Sequence, residues 1–222
     1  MAKIVSHDNT KILFGNEDLL LAIQTKSFSQ MIFELLSEQT PTSDQLKIFD
    51  LILSLSIDHG TDTPSASKTI SAAKTGEPIS NAVAEGVKEI NNTHGGTIEP
   101  AMSMFYSFEK EKLEAKSVVK KNLENNVRLP GYGHRLYKNT DPRAELLIEQ
   151  LKKIENSNYI KIARDIEKEL YTQKNIKLPL NIDGAIAVVL CSFGWSTQLG
   201  KAVFIIARTP GLCGHYLNNT IK

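Results

Sequence analysis

Cysteine is scarce in this sequence, which has only Cys191 and Cys213 among 222 residues. The two lack CxxC spacing and lie in apolar surroundings, so we expect two reduced, buried thiols. An excess of one charge is also lacking, because 26 Lys and Arg residues offset 25 Asp and Glu residues to leave a net charge of +1. This balance provides no general attraction to nucleic acid or to an anionic membrane, and we expect neither as a partner.

Long apolar runs are missing as well. No stretch approaches the roughly 20 apolar residues that a membrane-spanning helix needs. The N-terminal MAKIVSHDNTK lacks the apolar segment of a signal peptide, so the expected compartment is the cytoplasm. The remaining composition, 41% hydrophobic and 23% charged, is typical of a globular protein with a sizeable core.

Apolar residues recur at intervals of three and four over most of the chain, which predicts a mainly helical fold. The stretches 16–37 and 98–126 are each interpreted as one helix. DPRAELLIEQLKKIE predicts a helix capped by Asp141, with Pro142 at its first position. Strand signals are limited to AKIVSHDNTKILFG, which indicates a short hairpin around Asp8 and Asn9.

Two further patterns concern packing and domains. Small residues dominate the two helices predicted over 64–76 and 78–96, so their backbones are expected to approach closely. A more polar stretch, 107–179, separates two more apolar blocks. It predicts a small helical lobe carried on a larger helical body formed by 1–106 and 180–222.

Polar residues mark several predicted helix ends, where chemistry is often located. The histidines are His59 in DHG, His94 in THGG, His134 in GYGHR and His215 in GHYL. One histidine beside glycine usually has a structural role, but several in this context, together with Asp183 at the start of an apolar helix, favour a site. The cations near helix ends are Arg135, Lys138, Arg143 and Arg208. Such a set suits a polycarboxylate substrate that undergoes proton transfer at carbon.

Other kinds of site fit the sequence less well. HExxH and paired histidines on one turn are absent, so no metal site is expected. The GxSxG motif of a serine hydrolase is also absent from this sequence. GYGHR has only the first glycine pair of a dinucleotide-binding loop and follows no strand signal.

Four ordered motifs resemble the citrate synthase superfamily over about residue 10 to the C-terminus. They are HGG at 94–96, GYGHRLYKNTDPRA at 131–144, NIDGA at 181–185 and IARTPGLCGHYL at 206–217. The resemblance implies an all-α homodimer with a large and a small domain, the latter carrying the coenzyme A loop. It also implies acetyl-CoA, oxaloacetate and citryl-CoA as ligands, with the CoA thioester as co-substrate and no covalently bound cofactor.

Roles follow from the resemblance residue by residue. His94 resembles the histidine that hydrogen-bonds the thioester carbonyl, Asp183 the base that takes the methyl proton, and His134 the histidine that polarises the ketone. The residues that resemble the substrate-carboxylate shell are His59, Arg143 and Arg208. Those that resemble the CoA-binding loop are Leu129, Pro130, Gly131, Tyr132 and Gly133, with Lys138 near the CoA phosphates.

Three features of the sequence bear on the direction of the reaction. DHG begins at residue 58, and this short lead resembles citryl-CoA lyases and the C-terminal module of ATP-citrate lyase. The family usually has a C-terminal arginine that reaches the partner subunit's substrate, and none follows Arg208 here. From the short lead we expect a citryl-CoA lyase, with a citryl-CoA synthetase-type subunit as a further partner. His94 favours the alternative, a citrate synthase of the tricarboxylic acid cycle or a synthase acting on another acyl-CoA or oxo acid. The missing arginine favours a second alternative, an inactive CoA-ester-binding paralogue.

Overall fold

The computed structural model describes residues 5–7, 10–91 and 95–220. Within these ranges the chain forms eleven helices and three short strands, which confirms the mainly helical prediction. Contacts divide the chain into two compact units, Met1–Leu51 and Ile52–Lys222, and each is described by itself. The predicted division into a large domain of 1–106 and 180–222 and a small domain of 107–179 stays a prediction.

The first unit begins with a small antiparallel sheet. Its strands are β1 (Val5–His7), β2 (Ile12–Phe14) and β3 (Glu17–Asp18), in that spatial order. The pairing of β1 with β2 confirms the predicted hairpin, whose turn residues Asp8 and Asn9 lie outside the described residues. The helices that follow are α1 (Leu19–Thr25), α2 (Phe28–Ser37) and α3 (Ser43–Ser56), the last continuing into the second unit.

The single helix predicted over 16–37 is wrong, because the stretch contains two N-terminal caps. Asp18 accepts a hydrogen bond from the backbone N–H of Leu20 at 2.9 Å and so starts α1 after β3. Ser27 accepts one from Gln30 at 3.2 Å and starts α2. Between them Lys26 is extended, with φ −113° and ψ 137°. The stretch therefore forms two helices, because its apolar pattern contains the polar capping residues Asp18 and Ser27.

The second unit contains the remaining eight helices of the described chain. They are α4 (Pro64–Lys74), α5 (Ile79–Lys88), α6 (Ile98–Glu111), α7 (Ala115–Glu124), α8 (Pro142–Ile154), α9 (Asn158–Lys174), α10 (Ile182–Ser192) and α11 (Gln198–Thr220). Helix α10 contacts α6, α8, α9 and α11. Every residue from 184 to 191 is buried, as its almost continuous apolar sequence requires. The N-terminus of this central helix is therefore held by several neighbours.

Helices α4 and α5 pack at unusually close range, as their small residues predict. A Cβ atom at Gly86 would lie 2.1 Å from Thr69 Oγ1 and 2.8 Å from the carbonyl oxygen of Ser65. Both Ser65 and Thr69 are buried. Only glycine fits at this contact, so the prediction of close backbone packing is confirmed.

The long helix predicted over 98–126 is also wrong. Helix α6 ends at Glu111, Lys112 adopts a left-handed φ of 52°, and α7 begins at Ala115. The N–H of Leu113 donates to the carbonyl of Phe108 at 3.1 Å. Hydrogen bonds of this kind are typical of helix C-termini, because they satisfy a carbonyl of the last turn.

The cysteine prediction is partly confirmed. Both cysteines are free thiols, and Cys191 is buried. The burial predicted for Cys213 is wrong, because this residue lies about 100° around α11 from the buried Leu212 and is partly exposed. Within the described ranges, no helix combines the length and the hydrophobicity that crossing a bilayer requires.

Candidate active site

The guanidinium group of Arg143 joins three segments of the second unit. Arg143 lies in the first turn of α8, and its Nη1 is 3.1 Å from Nδ1 of His59, in the loop before α4. Its Nη2 is 3.2 Å from Nε2 of His134, in the loop before α8. The structure thus brings together three of the residues that the sequence analysis assigned to substrate binding and catalysis. Their roles stay predictions.

Asp141 is the anionic partner of this cluster and is fully buried. Arg143 donates to it from Nε at 3.0 Å and from Nη2 at 2.8 Å. Asp141 also caps α8 through the backbone N–H of Arg143 at 3.1 Å, and it accepts the N–H of Ile182, in α10, at 3.1 Å. Burial opposes ionisation, but the hydrogen bonds and charge of Arg143 outweigh it and lower the pKa of Asp141. The sequence analysis had predicted only the cap.

Asp141→Ala is expected to lower the free energy of unfolding by about 3 kcal/mol, because it leaves the mostly buried Arg143 without its anion and removes a cap. Since the folded-state pKa is depressed, this contribution is present above the ordinary value of about 3.9 and is lost as the pH falls through the lower, folded-state pKa. Denaturant titrations at neutral and acidic pH measure it. Ser157→Ala, which removes the cap of α9 and a hydroxyl contact with Ser192 but no ion pair, should cost only about 1 to 2 kcal/mol. Equal losses for the two variants would contradict the role of the ion pair.

The tautomer of His134 follows from its hydrogen bonds. Nδ1 lies 3.0 Å from the backbone N–H groups of both Leu136 and Tyr137, so it must be the acceptor and carry no proton. Burial and the charge of Arg143 lower the pKa of His134, which favours the neutral ring. The remaining proton is then on Nε2, facing an N–H of Arg143. Two donors that face each other do not hydrogen-bond to each other, so the Nε2 proton of His134 is available to an acceptor oxygen of a ligand.

His59 completes the polar wall beside these donors. Its ring is edge-on to that of His134, with centroids 5.7 Å apart and an interplanar angle of 81°. Burial, followed by the charges of Arg143 and Arg208, lowers the pKa of His59. A neutral His59 accepts the hydrogen bond from Arg143 at Nδ1 and has a proton on Nε2. The site therefore contains cationic and neutral donors.

Asp183 lies in the first turn of α10, after Asn181, whose side chain caps the helix at the N–H of Gly184 at 3.0 Å. Burial raises the pKa of Asp183 despite opposing effects from a hydrogen bond of Thr97 and from Arg143 and Arg208. A carboxyl group with a raised pKa gains and loses a proton more easily near neutral pH than an ordinary aspartate. The buried environment of Asp183 thus suits acid–base chemistry.

Arg208 has an incomplete set of hydrogen-bond partners. The residue is 4% exposed, and its Nε donates to the carbonyl oxygen of Ser56 at 2.8 Å. Its guanidinium carbon lies 4.8 Å from the ring centroid of Phe204. Its Nη1 is buried and meets no acceptor anywhere in the described parts of the chain. Since a buried, unsatisfied cationic donor is costly, an anionic ligand is the expected partner.

A cavity of about 820 Å³ adjoins His134. Of the predicted CoA-binding residues, Leu129, Tyr132, Gly133 and Lys138 line it. Pro130 and Gly131 are not among the lining residues. Gly131 packs instead against α10, where its added Cβ would lie 2.8 Å from the Cα of Gly184.

Four cations line this cavity: Arg128, Arg135, Lys138 and Lys174. Arg135 also pairs with Asp62, and Lys138 donates to the carbonyl of His134 at 3.3 Å. The sequence analysis did not assign Arg128, which directly precedes the predicted CoA-binding loop, or Lys174, which only the fold brings to this cavity. Apolar side chains complete the wall: Leu123, Val127, Leu129, Leu170 and Leu178. The combination suits an anionic ligand with an apolar or aromatic portion.

His94 lies outside the described residues, so its predicted role is untested. The adjoining Gly95 has a φ of 68°, and its added Cβ would lie 2.0 Å from Phe204. Thr97, which the sequence analysis missed, follows this turn and donates its hydroxyl to Asp183. Nothing in its sequence context distinguishes it from an ordinary helix cap. No cluster of three or more potential metal ligands occurs among the described residues.

Comparisons with known proteins agree on one family. The family profile described as "Citrate synthase, C-terminal domain" matches residues 3–222. The structure of a citryl-CoA lyase from Hydrogenobacter thermophilus is similar over 100% of this chain and 87% of that chain, with a TM-score of 0.93 and 34% identity. An ATP citrate lyase of Methanosaeta concilii, in complex with (3S)-citryl-CoA, shares the fold with a TM-score of 0.88 and 23% identity, covering 98% of this chain and 38% of that one.

Curated relatives are longer than this chain. A citrate synthase of Deinococcus radiodurans is 29% identical over 188 residues, which cover 81% of this chain and 48% of the relative. The chain therefore spans about half of that relative's length.

Proposed function

The chain belongs to the citrate synthase superfamily of enzymes, and from this premise we propose that it cleaves citryl-CoA to acetyl-CoA and oxaloacetate. The observation that carries the proposal is the similarity to the Hydrogenobacter citryl-CoA lyase over the whole chain, at 34% identity and a TM-score of 0.93. This chain covers a smaller share of the other relatives, 38% of the Methanosaeta ATP citrate lyase and 48% of the Deinococcus citrate synthase.

The cavity beside His134 supports a CoA thioester as substrate. CoA has several phosphate charges, an adenine ring and a flexible arm, and the cavity provides cationic and apolar walls. Arg128 and Lys174 both line the cavity, and Lys138 donates to the carbonyl of His134. Guanidinium and ammonium groups are the usual protein partners of phosphate. We infer that the thioester end of the ligand points toward His134.

The donors around Arg143 support binding of the oxaloacetate portion. Arg143 and Arg208 provide N–H groups for its carboxylates, and Arg208 Nη1 has no other partner in the described chain. His134 Nε2–H is placed to donate to the oxygen that is a hydroxyl in citryl-CoA and a ketone in oxaloacetate. Preorganised donors of this kind stabilise charge on such an oxygen.

Cleavage breaks the bond between the thioester methylene and the carbinol carbon. Its electron pair passes into the thioester as an enolate, while the carbinol oxygen loses its proton to water and becomes the ketone. Asp183, in its carboxylic acid form, gives a proton to the enolate carbon to complete acetyl-CoA. The raised pKa of Asp183 suits this transfer, and His94 is proposed to hydrogen-bond the thioester oxygen.

Citryl-CoA must be supplied by a reaction that joins citrate to CoA. We propose a citryl-CoA synthetase-type subunit as the source, in line with the ATP-citrate synthase subunit of Sordaria macrospora, which is 28% identical over 78% of this chain. A homodimer is proposed for the chain itself.

Citrate synthase is the second candidate function. The Deinococcus citrate synthase matches 81% of this chain, and both reactions pass through citryl-CoA and the same carbon–carbon step. The two functions differ in whether citryl-CoA is hydrolysed on the enzyme.

Product analysis separates these functions. The purified chain is incubated with citryl-CoA, and acetyl-CoA, oxaloacetate and free CoA are followed over time. A lyase is expected to form acetyl-CoA and oxaloacetate in equal amounts with little free CoA. A second mixture of acetyl-CoA and oxaloacetate should then release little CoA.

Stoichiometric CoA and citrate from the second mixture would favour the synthase instead. No turnover in either mixture, together with measurable binding of CoA esters, would favour the inactive paralogue. Spontaneous hydrolysis of citryl-CoA is subtracted with a sample lacking protein.

A further inference from the structure

We propose that Thr97 is a positioning residue that holds Asp183 for proton transfer. The inference rests on the proposed function, since it assumes that Asp183 moves the proton to or from carbon. Thr97 precedes α6 and Asp183 lies in α10, so their contact joins two helix starts that are distant in sequence. The hydroxyl of Thr97 donates to Oδ2 of Asp183.

The hydroxyl of Thr97 is not used in the usual way for its position. Thr97 is the N-cap of α6, where a threonine side chain normally accepts a backbone N–H of the first turn. Among the described residues, its side chain makes no such bond. Helix α6 therefore lacks a side-chain cap at Thr97, and the hydroxyl donates to Asp183 instead.

The backbone before Thr97 is held in place by close contacts. Gly96 donates its N–H to the carbonyl of Asn91 at 3.0 Å, and an added Cβ at Gly96 would lie 2.3 Å from that oxygen. Gly95 packs against the ring of Phe204 in α11. These contacts pack Gly95 and Gly96 closely, so Thr97 follows directly on a tightly packed backbone.

The hydrogen bond makes the two carboxylate oxygens of Asp183 different. Oδ2 accepts from Thr97, so Oδ1 is the oxygen on which a proton is better accommodated. A hydrogen bond to the ionised form also stabilises that form. Thr97 therefore acts against burial, which favours the protonated acid, and keeps the carboxyl able both to accept and to donate a proton.

The charged and titratable groups that face Asp183 come from several elements. Arg143 in α8 and Arg208 in α11 favour its ionised form, whereas the negative charge of Asp141 opposes it. His134, in the loop before α8, also interacts with Asp183 electrostatically. The substitution of Thr97 leaves all of these groups in place, so a change in titration reports the lost hydrogen bond.

Thr97→Val and Thr97→Ser form a matched pair for the test, since valine keeps the shape and serine keeps the hydroxyl. The readout is the exchange of acetyl-CoA methyl protons with deuterium, followed against pH with L-malate, which has no ketone to react, filling the second subsite. In this exchange Asp183 removes a proton from the methyl group of acetyl-CoA, so its carboxyl group must be ionised. Loss of the hydrogen bond raises its pKa, so the acidic limb of the Val profile should move up by about one pH unit, and Ser should restore it.

Two results would overturn the inference. One is a Val profile that coincides with wild type, and the other is a Ser profile that moves as far as Val. If wild type exchanges no protons, or if Asp183→Asn exchanges them as fast as wild type, the proposed function fails instead. Because Thr97 makes no cap bond, thermal melting of the Val variant should stay close to that of wild type, which separates positioning from folding.

Discussion

Asp183→Asn is expected to lower the rate of citryl-CoA cleavage by about a thousandfold, since it removes the group that carries the proton to carbon. Asparagine has nearly the same shape and can still accept the hydroxyl of Thr97, but it cannot donate a proton as an acid of suitable pKa. Binding of CoA esters should persist, because the cavity cations are unchanged. Acetyl-CoA formation measures the rate, and titration calorimetry with CoA measures binding.

A matched control is Asp165→Asn, which neutralises an aspartate that pairs with Lys161 on the surface of α9. Its turnover should equal that of wild type. Retention of near wild-type cleavage by Asp183→Asn would show that another group transfers the proton, and a folded variant that lost CoA binding would point to a structural role.

Arg143→Lys is expected to lower kcat/KM for citryl-CoA about a hundredfold, mainly through a higher KM. Lysine keeps the positive charge but cannot form the fork that contacts His59, His134 and Asp141 together. The loss of two charge-assisted hydrogen bonds accounts for an effect of this size. Initial rates at varied citryl-CoA concentration separate KM from kcat.

Arg164→Lys provides the control for this substitution. Arg164 also binds two acidic side chains, those of Glu145 and Glu167, and its side chain is 28% exposed against 17% for Arg143. Both variants should lose stability through a weakened ion pair, but only Arg143→Lys should change the kinetics. An equal kinetic loss in both would mean that the effect of Arg143 is general destabilisation.

Several features of the fold could be predicted from local sequence. The start of α8 at Asp141 and Pro142, the apolar core helix α10 and the tight α4–α5 contact all depend on short-range chemistry: a cap, a continuous apolar run and small side chains. The predictions over 16–37 and 98–126 failed for the converse reason. Periodicity of apolar residues continues across a helix break without marking it, and the α1 residues that extended the pattern, Leu20, Leu21 and Ile23, are more than half exposed.

The site was predictable only in part. The sequence motifs contained those site residues that lie at the starts of helices, such as Arg143 and Asp183. The central role of Asp141 was hidden, because a capping aspartate and an aspartate that also binds an arginine and a second helix look alike in sequence. Lys174 and Thr97 were missed because each reaches the site through the packing of a separate helix or loop, whereas Arg128 directly precedes the predicted loop and has no motif that marks it.

The sequence by itself determined the helical class, the family and the list of chemically capable residues, since these depend on composition, periodicity and short motifs. Only the tertiary structure decided which of those residues meet. It placed Arg143 between two histidines, left Arg208 with an unsatisfied donor, and turned the hydroxyl of Thr97 from its own helix toward Asp183. Proton positions and pKa shifts depend on distances of a few ångströms between segments far apart in the chain, and those distances arise only when the helices pack.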